Sequence, residues 1–162
     1  MRLRRLAFAL LPIAFTACLS GTDYGTNTYP LVPIEQTTFA TSLNVDLSKS
    51  TKTATGLYYR DLVTGTGATA TSTSRVSTYY ALYFPTGQKI EELSSPSTPY
   101  SFTIGTNPPA VIAGWDEGVQ GMKVGGTRQL IVPPSLAYGT NGAGVIPPNS
   151  VLVFTIQLVA VQ

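Results

Sequence analysis

The side chains that usually perform covalent or metal chemistry are almost missing from this sequence. Its 162 residues contain no histidine and a single cysteine, Cys18, so an intramolecular disulfide is excluded. Histidine-dependent triads and dyads are also excluded, as are the usual zinc sites. Paired carboxylates occur at Glu91-Glu92 and Asp116-Glu117. Sequence neighbours point apart on a strand and diverge by about 100° on a helix, so we interpret most of these carboxylates as solvated charges.

Two glycine-rich stretches lack the residues that a phosphate site needs. The segment Gly65-Thr66-Gly67 lacks the third glycine of a dinucleotide-binding motif, and residues 121–126 lack the Lys-Ser/Thr pair of a phosphate-binding loop. We interpret both as turns, and the sequence predicts no cofactor and no metal ion. What remains is a set of aromatic and aliphatic residues beside turns, which is suited to holding an apolar ligand.

The elements that position these residues are predicted from hydrophobic spacing. After Thr55, short apolar runs bounded by Gly and Pro predict strands over residues 57–63, 75–84, 88–93, 100–104, 127–132 and 151–161. In the last run, strict alternation places four apolar residues on one face of the predicted strand: Leu152, Phe154, Ile156 and Leu158. Spacings of three and four among Ile112, Trp115 and Val119 predict a short helix within residues 110–122. The predicted fold class is α+β, a curved antiparallel sheet of about five strands wrapped around one short helix.

The start of the chain has the pattern of a bacterial lipoprotein signal peptide. Arg2, Arg4 and Arg5 precede an apolar run, residues 6–17, that is too short to span a bilayer. Phe15-Thr16-Ala17-Cys18 resembles a lipobox, so residues 1–17 are predicted to be cleaved and Cys18 to carry the lipid. The alternative is a signal-peptide cysteine that is discarded on cleavage. The resemblance predicts a lipid anchor in the bacterial cell envelope and, because no Asp follows Cys18, favours the outer membrane facing the periplasm over the inner membrane.

Between this signal and the predicted domain, residues 18–54 are rich in Ser, Thr, Gly and Asn and show no sustained period. We predict a flexible tether, because such a segment buries too little apolar surface to offset backbone ordering. The alternative is that Tyr29 to Val45 packs on the domain as an extra strand or helix. Cleavage after residue 17 changes the side-chain charge from +2 to −1, which leaves no basic stripe for nucleic acid.

A series of motifs then resembles the FKBP-type peptidyl-prolyl isomerases. Residues 111–119, V-I-A-G-W-D-E-G-V, are similar to the family's helix signature, and the match continues in order through residues 121–125, 134–139 and 146–154. The resemblance covers about residues 55–162, the predicted isomerase domain. Upstream, the family's Y-x-G…G-x-x-F-D is changed, since Leu82 replaces its first Gly and Ile90-Glu91 replaces its Phe-Asp pair.

The resemblance implies a site made of ten residues. Three are assigned catalytic roles: Tyr80, Glu91 and Tyr138. The others are assigned to substrate binding: Tyr100, Phe102, Val111, Ile112, Trp115, Ile146 and Phe154. Trp115 would form the floor, the Ile112 N–H and the Tyr138 hydroxyl would hydrogen-bond the peptide, and Glu91 would replace an acidic group near the twisting amide. From residue type alone, without the motifs, core positions are favoured for the large apolar members Phe102, Ile112, Trp115 and Phe154.

The implied reaction is rotation of X-Pro bonds during folding of exported proteins, which needs no nucleophile. Resonance holds the amide planar with a barrier of ~18–20 kcal/mol, and a dry aromatic pocket favours the less polar twisted amide. The implied partners are proline-containing unfolded or extended polypeptides, with macrolide ligands of the family also expected. Two alternatives stay open: a non-catalytic FKBP-like periplasmic chaperone or peptide-binding lipoprotein, and a structural surface lipoprotein.

Overall fold

The computed structural model describes residues 29–162. The predicted signal peptide, Cys18 and the first part of the predicted tether lie outside the described residues, so those three assignments stay predictions. Over the described part, no helix is long and apolar enough to cross a membrane.

Within residues 29–162, seven strands and one α-helix form the domain, which confirms the predicted fold class. The strands are β1 (Thr51–Lys52), β2 (Tyr58–Val63), β3 (Arg75–Tyr83), β4 (Lys89–Leu93), β5 (Tyr100–Thr103), β6 (Thr127–Val132) and β7 (Leu152–Val161). They make one antiparallel sheet in the order β1-β2-β6-β7-β3-β4. Strand β5 pairs with the first half of β3, and β4 pairs with its second half. This sheet has more strands than the five or so that we expected.

The inner face of the sheet packs on the helix α1 (Ala113–Gly118). The four residues predicted to share a face of β7 are all buried in this core, as expected. Gly118 lets the helix approach β6 closely, because a Cβ there would lie 2.6 Å from Leu130 Cδ1. The helix is shorter than the predicted span of 110–122, since Ile112 before it is still extended, with φ −61° and ψ 150°.

The outer face of the sheet is covered by residues 29–50, which we call the N-terminal strap. Its apolar side chains form a second core with the sheet, made of Ile34, Tyr58, Ile131 and Val151, with Phe39, Val45 and Leu47 packed against it. Three short 3-10 helices, at Ile34–Gln36, Thr41–Leu43 and Leu47–Lys49, give the strap its path. The flexible tether expected over residues 18–54 is therefore corrected for its described part, because the sheet offers outward apolar residues that this segment can cover.

Polar contacts also attach the strap to the sheet. The Ala40 N–H donates to the Pro85 carbonyl at 2.8 Å, and Gln129 Nε2 donates to the Leu43 carbonyl at 2.8 Å. Glu35 accepts hydrogen bonds of 2.6 Å from both Lys52 Nζ and the Tyr58 hydroxyl. These two donors, Lys52 first, lower the pKa of Glu35 to about 2. The strap is thus fixed at several points along its length.

Candidate functional site

A cleft of about 370 Å³ opens on the inner side of the sheet, where the start of α1 faces strands β3 and β4. The side chains come from four strands, the loop before α1, α1 itself and the chain that follows the 3-10 helix Pro134–Leu136. The cleft is lined by Tyr80, Leu82, Glu91, Tyr100, Pro109, Ala110, Val111, Ile112, Trp115, Tyr138 and Phe154.

Eight of the ten residues assigned from sequence line this one cleft. The two others, Phe102 and Ile146, are buried in the inner core instead. Phe102 still supports the cleft from behind, because its ring centroid lies 5.7 Å from that of Trp115. Sequence reasoning missed Leu82, Pro109 and Ala110. For Leu82 a signal existed, since it replaces a glycine of the family pattern; the loop residues follow no pattern that predicts their direction.

Trp115 lies on α1 at the centre of an aromatic cluster and is only 4 % exposed. Its ring meets those of Tyr80 and Phe154 edge to face, with centroids 5.0 and 5.5 Å apart. Edge-to-face pairs at such distances stabilise one another beyond the area they bury. Among residues 29–162, the indole Nε1 has no hydrogen-bond acceptor. The indole is therefore held by packing against other rings.

Tyr80 and Glu91 form the polar wall of the cleft. They lie on the paired strands β3 and β4, and the Tyr80 hydroxyl donates a 2.7 Å hydrogen bond to Glu91 Oε1. Burial, followed by this hydrogen bond, raises the pKa of Tyr80 far above its ordinary value. The phenol therefore stays protonated at neutral pH and acts as a donor, not as a base.

Tyr138 and Ile112 bring two further groups to the cleft. Burial and the nearby charge of Glu91 raise the pKa of Tyr138, so this phenol also stays neutral. The Ile112 carbonyl accepts the first hydrogen bond of α1, from the Trp115 N–H at 2.9 Å. Over the described residues, the Ile112 N–H has no backbone acceptor. The cleft thus combines apolar walls with neutral hydrogen-bond donors, an arrangement that can orient a peptide carbonyl.

In residues 29–162, no group of three or more His, Cys, Asp or Glu side chains could hold a metal ion. The carboxylate of Glu91 is the acidic group that lines the cleft, and it is engaged by Tyr80. The neighbouring Glu92 pairs instead with Lys89, at 2.6 Å. The two adjacent carboxylates therefore have different partners and do not act as a pair. This agrees with the prediction that neighbours on a strand point apart.

Known proteins share this architecture. A family model described as FKBP-type peptidyl-prolyl cis-trans isomerase matches residues 67–159. An FK506-binding protein of Streptomyces anulatus is 44% identical over 108 residues, which are 65% of this chain and 86% of that protein. Crystallised FkpA from Escherichia coli is 34% identical with a TM-score of 0.63, over 70% of this chain and 52% of its own, so the chain spans about half of it. A crystallised peptidyl-prolyl cis-trans isomerase from Pseudomonas syringae pv. tomato is 33% identical with a TM-score of 0.62, over 70% of this chain and 81% of its own.

Proposed function

Because the chain belongs to the family of FKBP-type peptidyl-prolyl cis-trans isomerases, we propose that its cleft catalyses rotation of X-Pro bonds in exported polypeptides as they fold. The observation that carries this proposal is the convergence of eight assigned residues on one aromatic cleft above Trp115. Uncatalysed rotation takes tens of seconds or longer, which is slow enough to limit folding. An enzyme that accelerates it would serve newly exported chains with many prolines.

The proposed chemistry is rotation of the amide in a dry site. A proline ring on the Trp115 indole, with Phe154 and Tyr80 at its sides, would have little contact with water. Planarity of the amide comes from charge-separated resonance, which water stabilises and an apolar site does not. Removing water therefore raises the free energy of the planar amide relative to the twisted one, and no covalent intermediate is required.

Hydrogen bonds would hold the peptide while its bond rotates. We assign the Ile112 N–H and the Tyr138 hydroxyl as donors to carbonyls on either side of the proline, since both groups border the cleft. Fixing the flanking residues confines the rotation to one bond. The role of Glu91 in this scheme is to orient the Tyr80 hydroxyl through their 2.7 Å hydrogen bond.

Replacing Tyr138 by Phe tests this scheme. The wild-type protein should accelerate cis-trans isomerisation of an X-Pro peptide in a protease-coupled assay. We expect Tyr138→Phe to lower kcat/KM about 5- to 10-fold, because one hydrogen bond to the peptide, worth about 1 kcal/mol, is lost. Tyr79→Phe is the matched control, since the Tyr79 hydroxyl bonds the Ser97 carbonyl outside the cleft and its loss should leave kcat/KM unchanged. A wild-type protein that does not exceed the spontaneous rate would refute the isomerase proposal.

One observation favours the alternative of a non-catalytic peptide-binding protein. Leu82 lines the cleft at the position where the resemblance predicts a glycine, so this wall is bulkier than the family pattern. In that case a proline-containing peptide would bind the cleft and its isomerisation rate would not change. Binding without acceleration in the same assay would select this alternative.

We also propose that the protein is anchored to the membrane of the bacterial cell envelope by a lipid on Cys18. Tyr29, the first residue that the structure describes, lies 11 residue steps after Cys18, a distance that the chain can span up to about 40 Å. Such an anchor would keep the cleft within reach of the membrane surface, in the compartment that receives exported chains.

Cys18→Ala is expected to move the protein from the membrane fraction to the soluble fraction, because a lost acyl chain removes about 0.8 kcal/mol of membrane affinity for each buried CH₂ group. Fractionation of cells that express the full chain, followed by detection of the protein, measures the shift. Ser20→Ala is the control and should remain with the membranes. Unchanged membrane association of Cys18→Ala would rule out the anchor.

A further inference from the structure

Arg128 is a buried cation that the proposed chemistry does not use. It lies on β6, is 5 % exposed, and its guanidinium sits 4.6 Å from the centroid of the Tyr59 ring. Burying a charge is costly unless it is paired and hydrogen-bonded. The position of Arg128 therefore depends on the partners that it reaches.

Those partners belong to two different elements. Nε and Nη2 donate to the two carboxylate oxygens of Asp61 on β2, at 2.6 and 3.0 Å. Nη1 donates to the backbone carbonyls of Gly118 and Gln120, both at 2.9 Å. One planar guanidinium thus joins β2 and β6 to the carboxyl end of α1, with a fork geometry that a lysine does not offer.

The carboxyl end of α1 needs such a partner. A helix of six residues is too short to be stable by itself. Its last carbonyls accept no hydrogen bond from within the helix, so they need donors from elsewhere. A cation at this end also complements the helix dipole. Trp115 lies less than one turn before Gly118, so the direction of its indole depends on how firmly this end is held.

We propose that Arg128 is a positioning residue for isomerisation, which fixes the end of α1 against the sheet and so holds the Trp115 indole at the floor of the cleft. Arg128 does not line the cleft, so its effect passes through the helix. The proposal rests on the proposed use of the cleft as an isomerase site.

Arg128→Met tests the proposal, because Met keeps an unbranched side chain and removes the charge and all four hydrogen bonds. We expect kcat/KM to fall on the order of 10-fold, since a small displacement of a positioning group has effects of this size or larger. Trp115 is the only tryptophan, so its fluorescence reports the same site directly. Its emission should shift to longer wavelength and become easier to quench with acrylamide.

The control is Ile34→Ala, which destabilises the opposite face of the sheet. At temperatures below the unfolding midpoints of both Ile34→Ala and Arg128→Met, the Ile34→Ala variant should keep the wild-type kcat/KM and the wild-type Trp115 emission. Arg128→Lys should give intermediate values, because an ammonium can reach some of the four acceptors. Wild-type values of both readouts in Arg128→Met, or equal changes in Ile34→Ala, would overturn the proposal.

If Arg128→Met does not fold, Arg128→Lys tests the proposal instead. Altered quenching of Trp115 together with a lowered kcat/KM would support positioning by Arg128, and wild-type quenching with wild-type kcat/KM would contradict it. If the wild-type protein has no isomerase activity, the proposed function fails, while the emission of Trp115 in the Arg128 variants still shows whether Arg128 positions the indole.

Discussion

Trp115→Ala is expected to lower kcat/KM for X-Pro isomerisation by at least about 100-fold, the largest effect that we predict for one residue of the cleft. The indole forms the floor, and the rings of Tyr80 and Phe154 rest against it. Its removal would let water reach the amide and would leave the proline without a surface to bind. The same change should cost about 3–5 kcal/mol of stability, because a large buried side chain is deleted.

The assay must therefore separate lost chemistry from lost folding. Ile131→Ala is a suitable control, since Ile131 is fully buried in the second core, on the face covered by the strap. Ile131→Ala should lower the free energy of unfolding by a comparable ~2–5 kcal/mol. At temperatures where both variants are folded, its kcat/KM should stay within about 2-fold of wild type. Urea unfolding gives the stabilities. Full activity in folded Trp115→Ala would show that isomerisation does not occur in this cleft.

The sequence predicted the inner half of the molecule well, and the reason is physical. Strict alternation in β7 and the spacing of Ile112, Trp115 and Val119 reflect packing against a single core, so the pattern predicts burial directly. Eight of the assigned residues then meet in one cleft. Pro109 and Ala110 were missed because they lie in a loop. The path of a loop depends on its turns, and hydrophobic periodicity does not predict it.

The strap was predicted less well, because its apolar residues have no regular spacing. Ile34, Phe39, Val45 and Leu47 reach the sheet from short 3-10 helices and the turns between them. A pattern elsewhere in the chain could have predicted that the outer face is covered. Tyr58 and Ile131 are apolar residues on the outer face, although their neighbours along the strand already face the inner core. A sheet that is apolar on both faces needs a cover on each, and α1 covers only one.

Ile34→Asp is expected to destabilise the whole domain by about 3–5 kcal/mol, because it removes a buried side chain and places a carboxylate among apolar groups. Ile34 is 4 % exposed and contacts the outer face of the sheet through the second core. If the strap were a loose tether, the same change would cost almost nothing. Chemical unfolding followed by circular dichroism measures the difference.

Leu31 supplies a matched control three residues away in the same strap. It is 67 % exposed, so Leu31→Asp introduces the same charge with an expected effect within about 0.5 kcal/mol. Equal stabilities for the two variants would show that the strap does not share the domain's core. A large gap between them, with normal kcat/KM in the folded fraction of both, would mean that the strap supports the fold from the face opposite the cleft.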